Sequence, residues 1–332
     1  MSKNKIEKYR GCLLGLAIGD ALGAPVEFMS LEEIKKQYGK NGISYFDGWN
    51  GFGPGTYTDD TQMSLATAIG CIRALQRYND MGICHPPTVI YHRYLDWLET
   101  QNNPMQRRAP GNTCLNALQS GEMGSIKYRI NNSKGCGGVM RTAPVGLAYP
   151  PKQAFQEGAE YAAITHGHPS GYLSAGFLSE VIANIIEEKT LIKAIELSIE
   201  QLITYDDYYE TIIKVEFAQK LAFSNNSIEE SIQKIGGGWV GEEALASSLF
   251  CSLKYVDDWK KGTLAAVNHS GDSDSTGSIT GAILGTLLGV GAIPNKWVQN
   301  VENSEKIQKI ADDMYKIFRK GEELSFEEYP PN

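Results

Sequence analysis

Apolar residues recur along most of this chain at the spacing of an α-helix. Leu65, Ala68, Ile69 and Ile72 fall at i, i+3, i+4 and i+7. Leu173, Phe177, Val181 and Ile185 repeat every four residues behind Pro169, which suits a first helical turn. The same patterning predicts helices near 3–23, 87–101, 151–164, 191–203, 208–223, 241–254, 257–267, 277–290 and 303–320. Alternating strand patterns are scarce and no βαβ rhythm appears. Four irregular stretches rich in Gly, Pro and Asn interrupt the helices, at 39–57, 102–113, 131–138 and 268–276. Loops held by a rigid scaffold often carry function. No break in composition marks a linker, so the expectation is a mainly α, single-domain protein over 1–332.

Composition adds one fact to that picture. Glycine supplies 35 of 332 residues, well above the usual level of about 7%. Gly11, Gly15, Gly19 and Gly23 recur every four residues, as do Gly277, Gly281, Gly285 and Gly289. A glycine costs about 1 kcal/mol relative to alanine inside a helix, so four in register need a reason, and close approach of another helix is one. The two smooth-faced helices are predicted to pack together. That would bring Asp20 and Glu27 from one end of the chain near Asp272 and Asp274 from the other, which requires one domain.

Charge narrows the classes of partner. The balance of 31 basic and 39 acidic residues leaves −8, which argues against a general nucleic-acid or anionic-membrane binder. A site built from carboxylates stays open. The six cysteines form no C-x-x-C and no zinc-ligand spacing. With no signal peptide, reduced thiols and a cytoplasmic location are expected. No stretch approaches the roughly 20 apolar residues of a membrane span.

Three segments could carry chemistry. Thr58-Asp59-Asp60-Thr61 precedes an amphipathic helix. Thr58 or Asp59 could simply cap it, and an acid in the first turn suits the helix dipole. Alternatively, adjacent carboxylates and a hydroxyl form a hard oxygen cluster suited to Mg2+ or Mn2+. In Gly271-Asp272-Ser273-Asp274-Ser275-Thr276-Gly277, an extended loop would project Asp272 and Asp274 to one side. Two acids beside an apolar helix are costly to bury unpaired. An EF-hand is disfavoured by the missing later ligands and terminal Glu. A cation collecting acids from both loops would solve the burial problem, and two ions about 3.5–4 Å apart suit that many oxygens. In the third segment, Gly11 to Phe28, Asp20 reads as structural and Glu27 as facing a cleft. Elsewhere, Tyr205 to Tyr209 reads as a loop and helix start. Trp239 reads as core where a helix begins, with Glu242 and Glu243 in its first turn.

Together, GLAIGDALGAPVEF, YTDDTQM, THGHPSGYL, GGGWVGEEALA and NHSGDSDSTG resemble the ADP-ribosylglycohydrolases, or ADP-ribosylhydrolases, most of all their arginine-type branch. The matches run from Gly11 to about Gly289 in the family's order. The resemblance implies an all-α, compact orthogonal helical bundle with a dinuclear Mg2+ or Mn2+ site in a cleft. It implies Thr58, Asp59 and Asp60 as one ligand group and Asp272, Asp274 and Ser275 as the other. Glu27 matches an acid near the ribose and metals, so Glu27, Asp59 and Asp60 are the implied catalytic residues. Gly135, Cys136, Gly137, Gly138, Val139 and Met140 resemble a segment around the ADP-ribose diphosphate, where relatives often carry Asn in place of Cys136. Backbone N–H donation from the glycines would survive that change. His166 and His168 match a ligand-side segment, with a buried hydrogen-bonded role as the alternative. Arg107 to Thr113, with Asn112, resemble another ligand-side loop. An acid that some relatives carry there is replaced by Arg108 and Ala109, so no base is assigned to it.

The implied reaction is metal-assisted hydrolysis of the N-glycosidic bond between ribose C1 and a modified arginine, with oxocarbenium-like charge as in other glycoside cleavages. The substrate would be an ADP-ribosylated protein or small ADP-ribosyl compound. Alternatives are a same-fold hydrolase of serine-linked, polymeric or free ADP-ribose, an immunity protein against an ADP-ribosylating toxin, and a catalytically silent relative. Clustered acids at every expected position argue against the silent one.

Overall fold

The computed structural model describes residues 5–330, so positions 3 and 4 of the first predicted helix lie outside the described residues. Sixteen α-helices follow in order: α1 Lys5–Gly23, α2 Leu31–Tyr38, α3 Asp59–Met81, α4 Pro86–Thr100, α5 Asn112–Gln119, α6 Ala143–Ala148, α7 Pro151–Ala163, α8 Pro169–Ile186, α9 Leu191–Leu202, α10 Tyr209–Ala222, α11 Ile228–Ile235, α12 Gly241–Lys254, α13 Trp259–Val267, α14 Ser273–Leu288, α15 Asn295–Asn300 and α16 Ser304–Tyr315. Among the described residues there is no strand, only isolated bridges at Trp49–Phe52 and Gly135–Val240.

The glycine registers pack as expected. A Cβ at Gly11, Gly15 or Gly19 would lie well under 3.0 Å from the carbonyl oxygen of Gly285, Gly281 or Gly277, respectively. Backbone therefore lies on backbone along the α1–α14 seam, and no side chain fits between the two helices. Both are buried over most of their length, as is every residue of α8. One hydrophobic core runs from Tyr9 to Tyr329 through all of these helices, so the chain's two ends belong to one domain.

Two boundaries differ from the sequence pattern. Helix α14 begins at Ser273, inside the segment expected to be an extended loop. The helix expected over 303–320 ends at Tyr315 and continues as one π turn, Lys316–Lys320, before Gly321 turns with φ 65°. Helices α2, α5, α6, α11 and α15 were not expected, although α2 and α11 each open with a capping box, Ser30 with Glu33 and Ser227 with Glu230. Each of these two spans only eight residues, little more than two turns, so even the Ile228, Ile232 and Ile235 spacing of α11 is too short to stand out. Among the described residues no single helix is long and apolar enough to cross a membrane, and all six cysteines are free.

Candidate metal centre and active site

Three helix ends meet where the α1–α14 seam stops. Thr58 caps α3, its hydroxyl accepting from the Asp60 amide at 3.2 Å, so the capping role is real and sets Asp59 and Asp60 in the first turn. Beneath them lies Asp20 in the last turn of α1. It is fully buried and accepts from the Thr58 amide at 2.8 Å, the Thr61 amide at 3.0 Å and the Thr61 hydroxyl at 2.5 Å. Asp20 is thus a brace that fixes the Thr58–Thr61 turn. On the outer side, Asp59 accepts from the Gly111 amide at 3.3 Å, and its own amide donates to Arg108 O at 2.9 Å.

The second carboxylate pair sits at the start of α14. Asp272 is its N-cap, accepting from the Ser275 amide at 3.3 Å, and Asp274 lies in the first turn with Ser275. The helical start, rather than an extended loop, points the two acids inward. Half-buried Glu27 joins them: one carboxylate oxygen from each of Glu27, Asp272 and Asp274 lies within 4.8 Å of the others. Burial, then the charges of Asp272, Asp59 and Asp20, push Glu27 up to about 9. Burial first, then neighbouring carboxylates, also drives Asp60 and Asp274 well above the usual range.

Two oxygens in this cluster, Asp60 Oδ2 and Asp274 Oδ1, are buried without a hydrogen-bond partner. Orphaned buried carboxylate oxygens are expensive, and no lysine or arginine among the described residues pairs with these acids. A set of hard oxygens with free lone pairs fits a divalent cation. The residues present therefore suit a metal, with Glu27, Asp272 and Asp274 forming the tightest group and Asp59 and Asp60 facing it from α3.

The glycine loop closes another side. Cys136 to Gly138 make one 3-10 turn. A strap from Gly237 to Gly241 ties it to the acids: Cys136 N donates to Trp239 O at 3.1 Å, Gly241 N to Lys134 O at 2.8 Å and Asp272 N to Gly237 O at 2.8 Å. Gly238 turns the strap with φ 82°, where a side chain would be strained. The Cys136 thiol donates to Asp272 Oδ2 at 2.8 Å, so this side chain touches the acidic cluster. Cys136 N is already used, Gly135 N donates to Ser133 Oγ at 3.3 Å and Gly138 N closes the 3-10 turn, which leaves the Gly137 amide for an anion.

Most of the other residues expected on the ligand side have side-chain partners of their own. Val139 and Met140 have core side chains, and only their backbone reaches the loop. His166 is 1% exposed beneath the loop, with Nδ1 2.8 Å from Thr165 Oγ1. Burial, then the Arg141 charge, lowers it to about 3 and keeps it neutral. Its Nε2 is one of the nearest atoms a Cβ at Gly137 would meet, so it supports the loop from below. His168 caps α8, accepting from the Ser170 amide at 3.1 Å. Asn112 is exposed at the first position of α5. Trp239 is not core. It is 44% exposed and stacks on Phe28, itself 75% exposed, with ring centroids 5.5 Å apart. The sequence signal for that stack was present in the aromatic after Glu27 and the tryptophan in the glycine run. The Cys136–Asp272 contact had no such signal, because its partners lie 136 positions apart.

Comparison with known proteins gives the family and the fold. The ADP-ribosylglycohydrolase family profile matches residues 1–323. The chain is 28% identical over 304 residues to the ADP-ribosyl-[dinitrogen reductase] glycohydrolase of Rhodospirillum rubrum, covering 89% of this chain and 90% of that one. It is 24% identical to the ADP-ribosylarginine hydrolase Tri1 of Serratia proteamaculans, covering 93% and 79%, respectively. It is 22% identical to the bovine (Bos taurus) ADP-ribosylhydrolase ARH3, covering 95% and 94%. A solved ADP-ribosylglycohydrolase-related protein complex shares the fold, with a TM-score of 0.71 at 24% identity over 94% of this chain and 98% of that one.

Proposed function

The chain belongs to the ADP-ribosylglycohydrolase family, and from that premise we propose that it hydrolyses the N-glycosidic bond between ADP-ribose and arginine in modified proteins, with divalent cations at the carboxylate cluster. The observation that carries this reading is the pair of orphaned oxygens, Asp60 Oδ2 and Asp274 Oδ1, beside a glycine loop whose Gly137 amide has no partner within the turn. Thr58, Asp59, Asp60, Asp272, Asp274 and Ser275 would hold Mg2+ or Mn2+, two ions by the number of oxygens. Bound there, the ions supply Lewis acidity at the ribose and neutralise the clustered charge. The arginine linkage draws support from the sequence motifs of the arginine-type branch and from the arginine activity in the name of the Serratia relative.

The chain's own groups then divide the work. The amide of Gly137 donates to the diphosphate and helps fix the ribose over the acids. Asp20 holds the Thr58–Thr61 turn in place. In the reaction the bond from ribose C1 to the guanidine nitrogen breaks and a water oxygen takes its place. One water proton passes to a site carboxylate, with Glu27 nearest the ribose side, and the departing nitrogen regains a proton. The test offers ADP-ribosyl-arginine and ADP-ribosyl-serine peptides side by side with Mg2+ or Mn2+. Release from the arginine peptide, abolished by a chelator, is expected. Release from serine alone overturns the linkage, and undiminished release under chelation overturns the metal.

A further inference from the structure

A groove of about 690 Å³ opens on the flank of α3, where α4 and α16 pack against it. Of the residues placed at the cleft above, Arg108, whose carbonyl accepts from the Asp59 amide, also lines it, and the carboxylates, the glycine loop and the histidines do not. Its floor is apolar, with Leu65 and Ile69 from α3 and Ile310 from α16. Arg73 of α3 and Arg93 of α4 line one wall. The two helices come close at Gly70, where a Cβ would lie 2.5 Å from Ile90 Cδ1 and 3.2 Å from Arg93 Cγ. The arginines are near enough that burial, followed by the charge of Arg93, lowers the pKa of Arg73. Arg93 is paired with Asp96. Among the described residues Arg73 has no ion pair, and the Nε atoms of both arginines are buried without a hydrogen-bond partner.

The other charges do not supply the missing anion. Glu302 is held by both terminal nitrogens of Arg108, at 3.0 and 3.1 Å, and Glu328 is paired with Lys309. Lys306 adds a further positive charge to the lining. A chain of net charge −8 has thus gathered uncompensated positive charge over an apolar floor. Guanidinium groups bind carboxylate and phosphate through paired N–H donors, and the volume falls in the range of small-molecule sites, about 300–1,000 Å³. We propose that this groove is a second binding site, which takes a small organic phosphate or carboxylate with its acid head between Arg73 and Arg93 and its apolar body on Leu65, Ile69 and Ile310. The site stands independently of the hydrolase reading.

Calorimetric titration of the full chain with phenyl phosphate and with benzoate tests it, and the tighter of the two names the head group. One saturable site is expected, with inorganic phosphate at least tenfold weaker for want of the apolar body. Saturating ADP-ribose should leave the binding unchanged. Arg73→Ala should weaken it at least tenfold and Arg73→Glu should abolish it. Arg73→Gln serves if either of these melts early, and hydrolase activity should be unaltered in all three. No saturable binding of either probe, equal affinity in the Arg73 variants, displacement by ADP-ribose, or inorganic phosphate binding as tightly as phenyl phosphate would each overturn the proposal.

Discussion

The last turn of α1 and the first turn of α14 each carry a buried aspartate, and the two are treated in opposite ways. Asp20 receives three hydrogen bonds from Thr58 and Thr61, and burial lifts it only to about 6. Asp274 keeps Oδ1 unpartnered and lies among Glu27, Asp60 and Asp272, whose charges add to its burial. Burial alone does not tell a brace from a ligand. The satisfied carboxylate holds backbone, and the unsatisfied one waits for something outside the chain.

The largest effects should separate the two. Asp274→Ala is expected to reduce ADP-ribose release at least about 1,000-fold, or about 4 kcal/mol of transition-state stabilisation, while the metal-free protein melts no lower than wild type. Asp20→Ala should instead unfold more easily in denaturant, by about 2–3 kcal/mol, because it strands the buried Thr58 and Thr61 donors. If Asp274→Ala were the less stable variant and Asp20→Ala the fully stable one, the assignment would be reversed.

The seam behind both residues gives the next effect. Gly281→Ala places a methyl against the Gly15 carbonyl and should cost about 1–3 kcal/mol by overpacking, despite the better helix propensity of alanine. A neutral or stabilising result in a denaturant titration would show that the helices can separate freely.

Proton linkage sharpens the comparison further. Glu27 moves from 4.5 to about 9 on folding without metal, so between those values the folded state holds a proton that the unfolded state has released. Stability of the chelated protein should therefore fall as pH rises through this window. Mg2+ or Mn2+ should raise the melting temperature more at pH 8 than at pH 6, as thermal scans would show. An equal shift at both would leave the carboxylates uncoupled from the cation. The smallest effect is reserved for Cys136→Ser. A hydroxyl keeps a donor to Asp272, and release should change less than about tenfold, or about 1.4 kcal/mol. Complete loss in kinetic assays would make the thiol itself indispensable.

Much of this was legible along the chain because it depends on local spacing. The four-residue glycine registers, the cap at Thr58 and the acids at 59–60 and 272–274 are all local patterns. What local spacing left hidden shares a physical origin. Val139 and Met140 follow the loop in sequence and His166 comes from a separate segment, yet all three side chains fall on its buried side, and a short irregular turn has no period from which to read that. Trp239 looked like core because large aromatics usually are, whereas stacking on Phe28 holds it half-exposed at the surface.

The sequence by itself determined the helical class, the close approach of two helices from opposite ends of the chain, and which acids were available. Periodicity and the absence of a Cβ are properties of single segments and need no knowledge of their neighbours. Only the tertiary structure decided which carboxylates are satisfied and which are bare, since that depends on donors 38 and 41 positions away for Asp20 and on no donor at all for Asp274 Oδ1. It alone placed Arg73 opposite Arg93, because the packing of α3 on α4 brings those charges together whatever their separation along the chain.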